Sequence, residues 1–192
     1  MVIDLRARCA RYFTYADLIE CGDTWQRLRR EGNGVPNAPL RDESYEGIAA
    51  LAATLLDPLV DHFGSVEITY GFAGPALTRH IARSIAPPLD QHAGSELNAR
   101  GSLVCARRGQ SCDLRVPGVD ALTVAAWVRA RLPFDRVYLY GLDRPLHVSH
   151  APEPVAKVFA MCPGARGAVP RDVTRRGADE IAALFADVSA AR

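Results

Sequence analysis

Lysine is nearly missing from this chain: Lys157 is the only one, beside 22 arginines. The arginines are spread along the whole length together with 30 alanines, so the imbalance reads as a composition bias more than as a binding signature. An excess of either charge is lacking too. With 23 basic and 22 acidic residues the net charge is +1, which excludes the electrostatic footprint of a dedicated nucleic-acid binder. No CxxC pair occurs among the five cysteines (Cys9, Cys21, Cys105, Cys112, Cys162), and an odd count without such a pair argues against a disulfide scaffold or a zinc ribbon. Long apolar runs are missing as well: no segment approaches 18 uninterrupted apolar residues, and Met1 to Phe13 has no apolar core of signal-peptide length. The expectation is a soluble, cytoplasmic protein that does not engage a membrane.

What is present is ordinary globular material. Apolar residues make up 48% and charged residues 23% of 192 positions, enough for one domain burying about 70% of its unfolded surface. Residues 1–42 read as an irregular N-terminal segment. A short helical stretch lies around Thr14 to Cys21, and from Arg27 to Arg41 the breakers Gly32, Gly34, Pro36 and Pro39 predict a long loop. From Ser44, a suitable N-cap, Ile48, Leu51, Ala52, Leu55 and Leu59 form one apolar stripe on a helix reaching about His62, with Pro58 kinking its last turn. Val66 to Gly71 alternates as a strand, and Pro75 to Ile85 reads as a helix. Ser111 to Val116 is a strand, and Asp120 caps a helix ending at Pro133. Arg136 to Tyr140 and Pro145 to Ser149 form a hairpin across a turn at Gly141 to Arg144. Residues 44–150 thus make the core, and 151–192 add a strand at Val155 to Met161 and an amphipathic closing helix. The pattern predicts an α+β domain with a small, mostly antiparallel sheet flanked by helices.

Residue types suited to a metal cluster in the second half. A zinc hydrolase needs three side-chain ligands, an open position for water, and a carboxylate to move the proton. His92, Asp113 and His147 supply the ligand types, the last two on neighbouring strands. His150, three residues after His147, falls on the opposite strand face, and His62 and His80 lie on predicted helices. A separate possibility is a reactive thiol, with Arg107 and Arg108 lowering the pKa of Cys105 or Cys112.

Four segments in order carry a family resemblance. Gly109-Gln110-Ser111-Cys112-Asp113-Leu114 resembles the G-x-A-x-D-hydrophobic element of the Hedgehog/DD-peptidase-fold metallopeptidases (peptidase family M15), and Pro145-Leu146-His147-Val148-Ser149 resembles the strand carrying that family's last zinc histidine. Ile68 to Phe72, continuing to Leu77, is similar to its S-G-Y-R segment, and Phe134-Asp135-Arg136-Val137 to its approach to the catalytic strand. The resemblance implies a Hedgehog/DD-peptidase-like sheet, a zinc cofactor, and hydrolysis of an amide or peptide-like small substrate. It departs at three places. Ala106 occupies the first histidine position, so His92 would replace that ligand; Ala73 occupies the position of the substrate-gripping arginine; and no glutamate precedes His147, leaving Asp143 or Glu96 as the general base. Arg108 and Arg144, and with them Arg107, would then supply the substrate grip. The alternatives are a non-catalytic binding or accessory module and a phage-type peptidoglycan endolysin.

Overall fold

The computed structural model of the protein describes residues 3–81, 91–164 and 167–189. Helix α1 (Tyr15–Ile19) begins at a capping box: Thr14 Oγ1 accepts the Asp17 N–H while the Asp17 carboxylate takes the Thr14 N–H at 2.7 Å. A second helix, α2 (Asp23–Arg30), corrects the expected loop. The breaker run acts only after it, from Gly32 at φ +74°, so the irregular part shrinks to residues 31–41.

The apolar stripe that follows forms one continuous helical rod: α3 (Asp42–Leu51), a π-helical turn (Ala52–Leu56) and α4 (Asp57–Phe63). Pro58 has no N–H to return to the preceding turn, and the widened turn lies directly N-terminal to it. Ser44 is not the N-cap; Arg41 is, and Ser44 sits inside the first turn, buried. After β1 (Glu67–Tyr70), helix α5 (Pro75–Thr78) covers only the first turn of the helix expected to reach Ile85, whose end lies outside the described residues. A 3₁₀ turn at Gln91–Ala93 leads to β2 (Gln110–Arg115). Asp120 caps α6 (Ala121–Arg131) by accepting the Thr123 N–H at 3.0 Å. The hairpin strands β3 (Arg136–Leu139) and β4 (Leu146–His150) follow, then β5 (Lys157–Gly164), β6 (Gly167–Asp172) and α7 (Ala178–Ser189). The C-terminal part therefore holds two strands where one was expected. Pro170 lies in β6, where it is tolerated because β6 is an edge strand.

The fold is α+β, built on a six-stranded sheet in the order β1-β2-β4-β3-β5-β6. All neighbours are antiparallel except β3 and β5, which run parallel. Residues 151–156 carry the chain from β4 across the end of β3 to β5. Asp135 fastens that crossing: its carboxylate accepts the Val155 N–H and its carbonyl the Lys157 N–H, each at 3.0 Å. Alternation on the pleat sorts the side chains. Cys112, Leu114, Val137, Leu139, Leu146 and Val148 point into the main core, which Ile48, Leu51, Leu55, Leu59 and Val128 complete from the helices. The other face carries Asp113, His147, Arg136, Tyr138 and Phe159. Among the described residues no helix is long and apolar enough to cross a membrane.

Candidate metal centre

Asp113 and His147 are direct cross-strand partners of β2 and β4, so the strand register alone brings them together. His147 Nδ1 lies 2.8 Å from Asp113 Oδ1. The third group comes from outside the sheet. His92, on the 3₁₀ turn, reaches Asp113 with Nε2 at 3.5 Å from the same Oδ1. One donor atom from each of the three residues lies within 4.8 Å of the other two. Both imidazoles are buried, while the Asp113 side chain keeps 24% of its exposure, so the group opens towards solvent at the carboxylate.

Backbone contacts hold His92 firmly. Its Nδ1 is 2.7 Å from the Gly71 carbonyl, and its own carbonyl accepts the Ala73 N–H at 2.9 Å and the Gln110 Nε2–H at 3.4 Å. A carbonyl can only accept, so Nδ1 is the donor and carries the hydrogen. In the neutral ring Nε2 is then an acceptor facing a carboxylate oxygen, and two acceptors 3.5 Å apart are stable only with a cation between or on them. Gly71 makes the geometry possible: a Cβ there would collide with the Leu18 carbonyl. Asn37, buried in the same corner, donates from Nδ2 to the Ile19 and Phe72 carbonyls and accepts the Gly74 N–H, all at 2.8–2.9 Å.

The electrostatics agree with this arrangement. Burial pushes the Asp113 carboxyl up, but the hydrogen bond from His147, and that from His92 in its doubly protonated form, together with the positive charge of the two rings when protonated, outweigh it and hold the group well below the usual carboxylate range. Aromatic rings frame the site. The Tyr70 and His92 ring centroids are 4.3 Å apart, His92 and His147 meet edge to face at 5.0 Å, and Tyr138 meets His147 edge to face at 5.3 Å.

Neither protein-family models, nor curated proteins, nor solved structures match this chain.

The remaining expected residues lie elsewhere. Glu96 is buried but faces α3: its Oε1 accepts the Ser44 hydroxyl at 2.8 Å and the Leu40 N–H at 3.0 Å. That placement at the N-terminus of a helix explains how a carboxyl group is accommodated in the interior, and it takes Glu96 away from the His–Asp group. Asp143 is exposed on the β3–β4 turn, where its carbonyl accepts Arg115 Nη1–H at 2.6 Å. Arg144, its exposed neighbour, lines a different cleft with Tyr140, Phe185 and Ala186. Arg108 stands at φ +56° and lines a cavity of about 420 Å³ against Glu46, Gly47 and Ala50 of α3. Arg107 is consumed by Asp135, with Nε donating to Oδ2 at 3.0 Å and Nη2 donating to Oδ1. Ala106 is exposed ahead of β2, and Ala73 packs against Leu28 and Leu77. The reactive-thiol alternative is overturned for Cys112, which points into the core, where burial raises its pKa well above the ordinary thiol value. Cys105 is fully buried too, with Arg107 turned to Asp135.

Sequence reasoning passed over the residues around the three ligand types: Gly71, Tyr70, Tyr138 and the side chain of Arg136. The pleat offered a signal for one of them, since Tyr138 stands on the hairpin partner of the His147 strand.

Proposed function

We propose that the protein is a metal-dependent hydrolase of amide or peptide-like bonds, with zinc held by His92, Asp113 and His147 on a divergent Hedgehog/DD-peptidase-like sheet. The observation that carries this reading is the convergence of the three donor atoms within 4.8 Å. Ligands bound tetrahedrally at about 2.0–2.2 Å stand about 3.3–3.6 Å apart. The 3.5 Å separation of His92 Nε2 and Asp113 Oδ1 has that size, and the fixed tautomer leaves Nε2 as the donor; His147 Nδ1, hydrogen-bonded at 2.8 Å to the same Oδ1, would have to give up that hydrogen and draw back by about half an ångström to join them. Zinc in such a site would polarise a scissile carbonyl and bring a water towards ionisation near neutral pH. The chain's own contribution is two rigid imidazoles, a carboxylate open to solvent, and an aromatic rim. A peptide or a small amide is the fitting substrate, and five cysteines without a disulfide among the described residues suit a reducing, cytoplasmic setting.

A second reading is a metal-holding binding or accessory module without turnover. Glu96 is occupied at α3 and Asp143 sits on a turn, so neither candidate base joins the group, and this favours that reading. One experiment separates the two. Zinc-loaded protein is incubated with a peptide library and with purified cell-wall peptide, beside chelated protein and His147→Ala. Metal-dependent cleavage lost in the variant supports the hydrolase, and cell-wall cleavage alone points to the endolysin class. Stoichiometric zinc without cleavage supports the module, and absence of zinc ends both.

A further inference from the structure

The cleft of about 420 Å³ that Arg108 lines belongs to the helix side of the sheet, which the metal reading does not use. His150, another of its lining residues, stands on the pleat face of Val148 and so points away from the side that His147 occupies. Close backbone approaches fix the walls. A Cβ at Gly47 of α3 would stand 2.9 Å from the Gly109 carbonyl oxygen, and one at Gly109 would collide with the His150 carbonyl oxygen. Arg108 at φ +56° and Gly109 at φ +71° both take the left-handed conformation, which strains the arginine and turns it to the cleft.

One face of α3 forms a wall: Glu43, Glu46, Gly47 and Ala50 follow one another at i, i+3, i+4 and i+7. Leu97, Leu103 and Pro152 make another wall apolar, and the two leucines stand side by side as antiparallel bridge partners. Arg41 and Glu43 are paired with each other. That leaves one charge of each sign. Arg108 and Glu46 are both exposed, and among the described residues their side chains form no ion pair. His150 adds a neutral polar group: burial lowers its pKa, and an Nδ1 buried without a partner places the hydrogen on Nε2, its remaining donor.

A cleft with one open charge of each sign repels a polyanion at Glu46 and a polyamine at Arg108. We infer that it is a binding site for an apolar amino acid in its zwitterionic form, with the carboxylate on Arg108, the ammonium on Glu46 and the side chain against Leu97 and Leu103. The volume falls among small-molecule sites, which span about 300–1,000 Å³. The site lies across the sheet from the His92–Asp113–His147 group and does not depend on a metal.

The test is calorimetric titration with leucine and with phenylalanine in the presence of a chelator, so that zinc takes no part. Each amino acid is compared with its analogue lacking the ammonium (4-methylpentanoate, 3-phenylpropanoate) and its analogue lacking the carboxylate (3-methylbutylamine, 2-phenylethylamine). Glycine serves as the ligand without a side chain. Wild type is expected to bind at least one of the two amino acids at least about tenfold more tightly than glycine or either of its own analogues. Arg108→Gln and Glu46→Gln, both at exposed positions, should each weaken that binding about tenfold. Ala50→Leu, which fills the cleft without changing a charge, should abolish it. Absence of binding by both amino acids, equal binding of an analogue or of glycine, or an affinity unchanged in any one of the three variants overturns the site. None of these outcomes bears on the metal reading.

Discussion

Gly71 shows how much of the centre depends on a residue that touches no ligand. Its carbonyl fixes His92 Nδ1, and its missing side chain lets that segment lie against the Leu18 carbonyl. Gly71→Ala should cost on the order of 3 kcal/mol of stability, because the obstruction is backbone, and should weaken zinc binding at least tenfold in equilibrium dialysis. Glu96→Gln separates structure from chemistry in the opposite direction. It should lower stability by about 1–3 kcal/mol in urea titration, through Ser44 and the Leu40 N–H, while zinc affinity stays unchanged. The thiols make a third residue-scale case. Burial pushes Cys21 up to about 12 and Cys9 up to about 11 from an ordinary value of 9.0. A raised thiol pKa favours the neutral form in the fold, so this stability is complete below pH 9 and is lost as pH rises towards 11–12. The urea midpoint should fall across that window, and iodoacetamide at pH 8 should modify these thiols far more slowly than a free thiol. Glu96 was legible as a chemically interesting residue but not as a structural one, because its partner Ser44 is 52 residues away in sequence.

At the level of elements, strand alternation carried most of the information. Ser111 to Val116 and Pro145 to Ser149 could be read as strands, and pairing of such strands makes neighbours of Asp113 and His147. The position of His92 was not legible in the same way, since a short 3₁₀ turn has no period and its placement depends on the Gly71 and Ala73 backbone. Helix α2 and strand β6 escaped for local reasons: polar composition in the first, Pro170 on a sheet edge in the second. The β4-to-β5 crossing supplies an element-scale prediction. Asp135 is fully buried and receives Arg107 and the Val155 N–H, so Asp135→Ala leaves Arg107 without its partner. A loss of about 3–5 kcal/mol is expected. Proteolysis within residues 151–156 should become faster than in wild type.

For the whole molecule, the sheet divides structure from chemistry. One face is closed by helices over an apolar core, and the other presents Asp113, His147 and an aromatic row, with His92 brought against it by the 3₁₀ turn. The near-neutral charge and single lysine of the chain said nothing about this polarity, because it is a matter of which pleat position each residue occupies. The face is also a source of stability if it holds zinc. At a free concentration of about 100 times Kd, a ligand specific for the folded state adds about 2.7 kcal/mol. In a chain of this size that corresponds to a rise in Tm of roughly 5–10 °C.

The most direct test is the zinc stoichiometry of the purified protein by equilibrium dialysis, compared with His92→Ala, Asp113→Asn and His147→Ala. One equivalent in wild type, with affinity reduced at least a hundredfold in each variant, is the predicted result. No bound zinc, or one equivalent that all three variants retain, would contradict the centre.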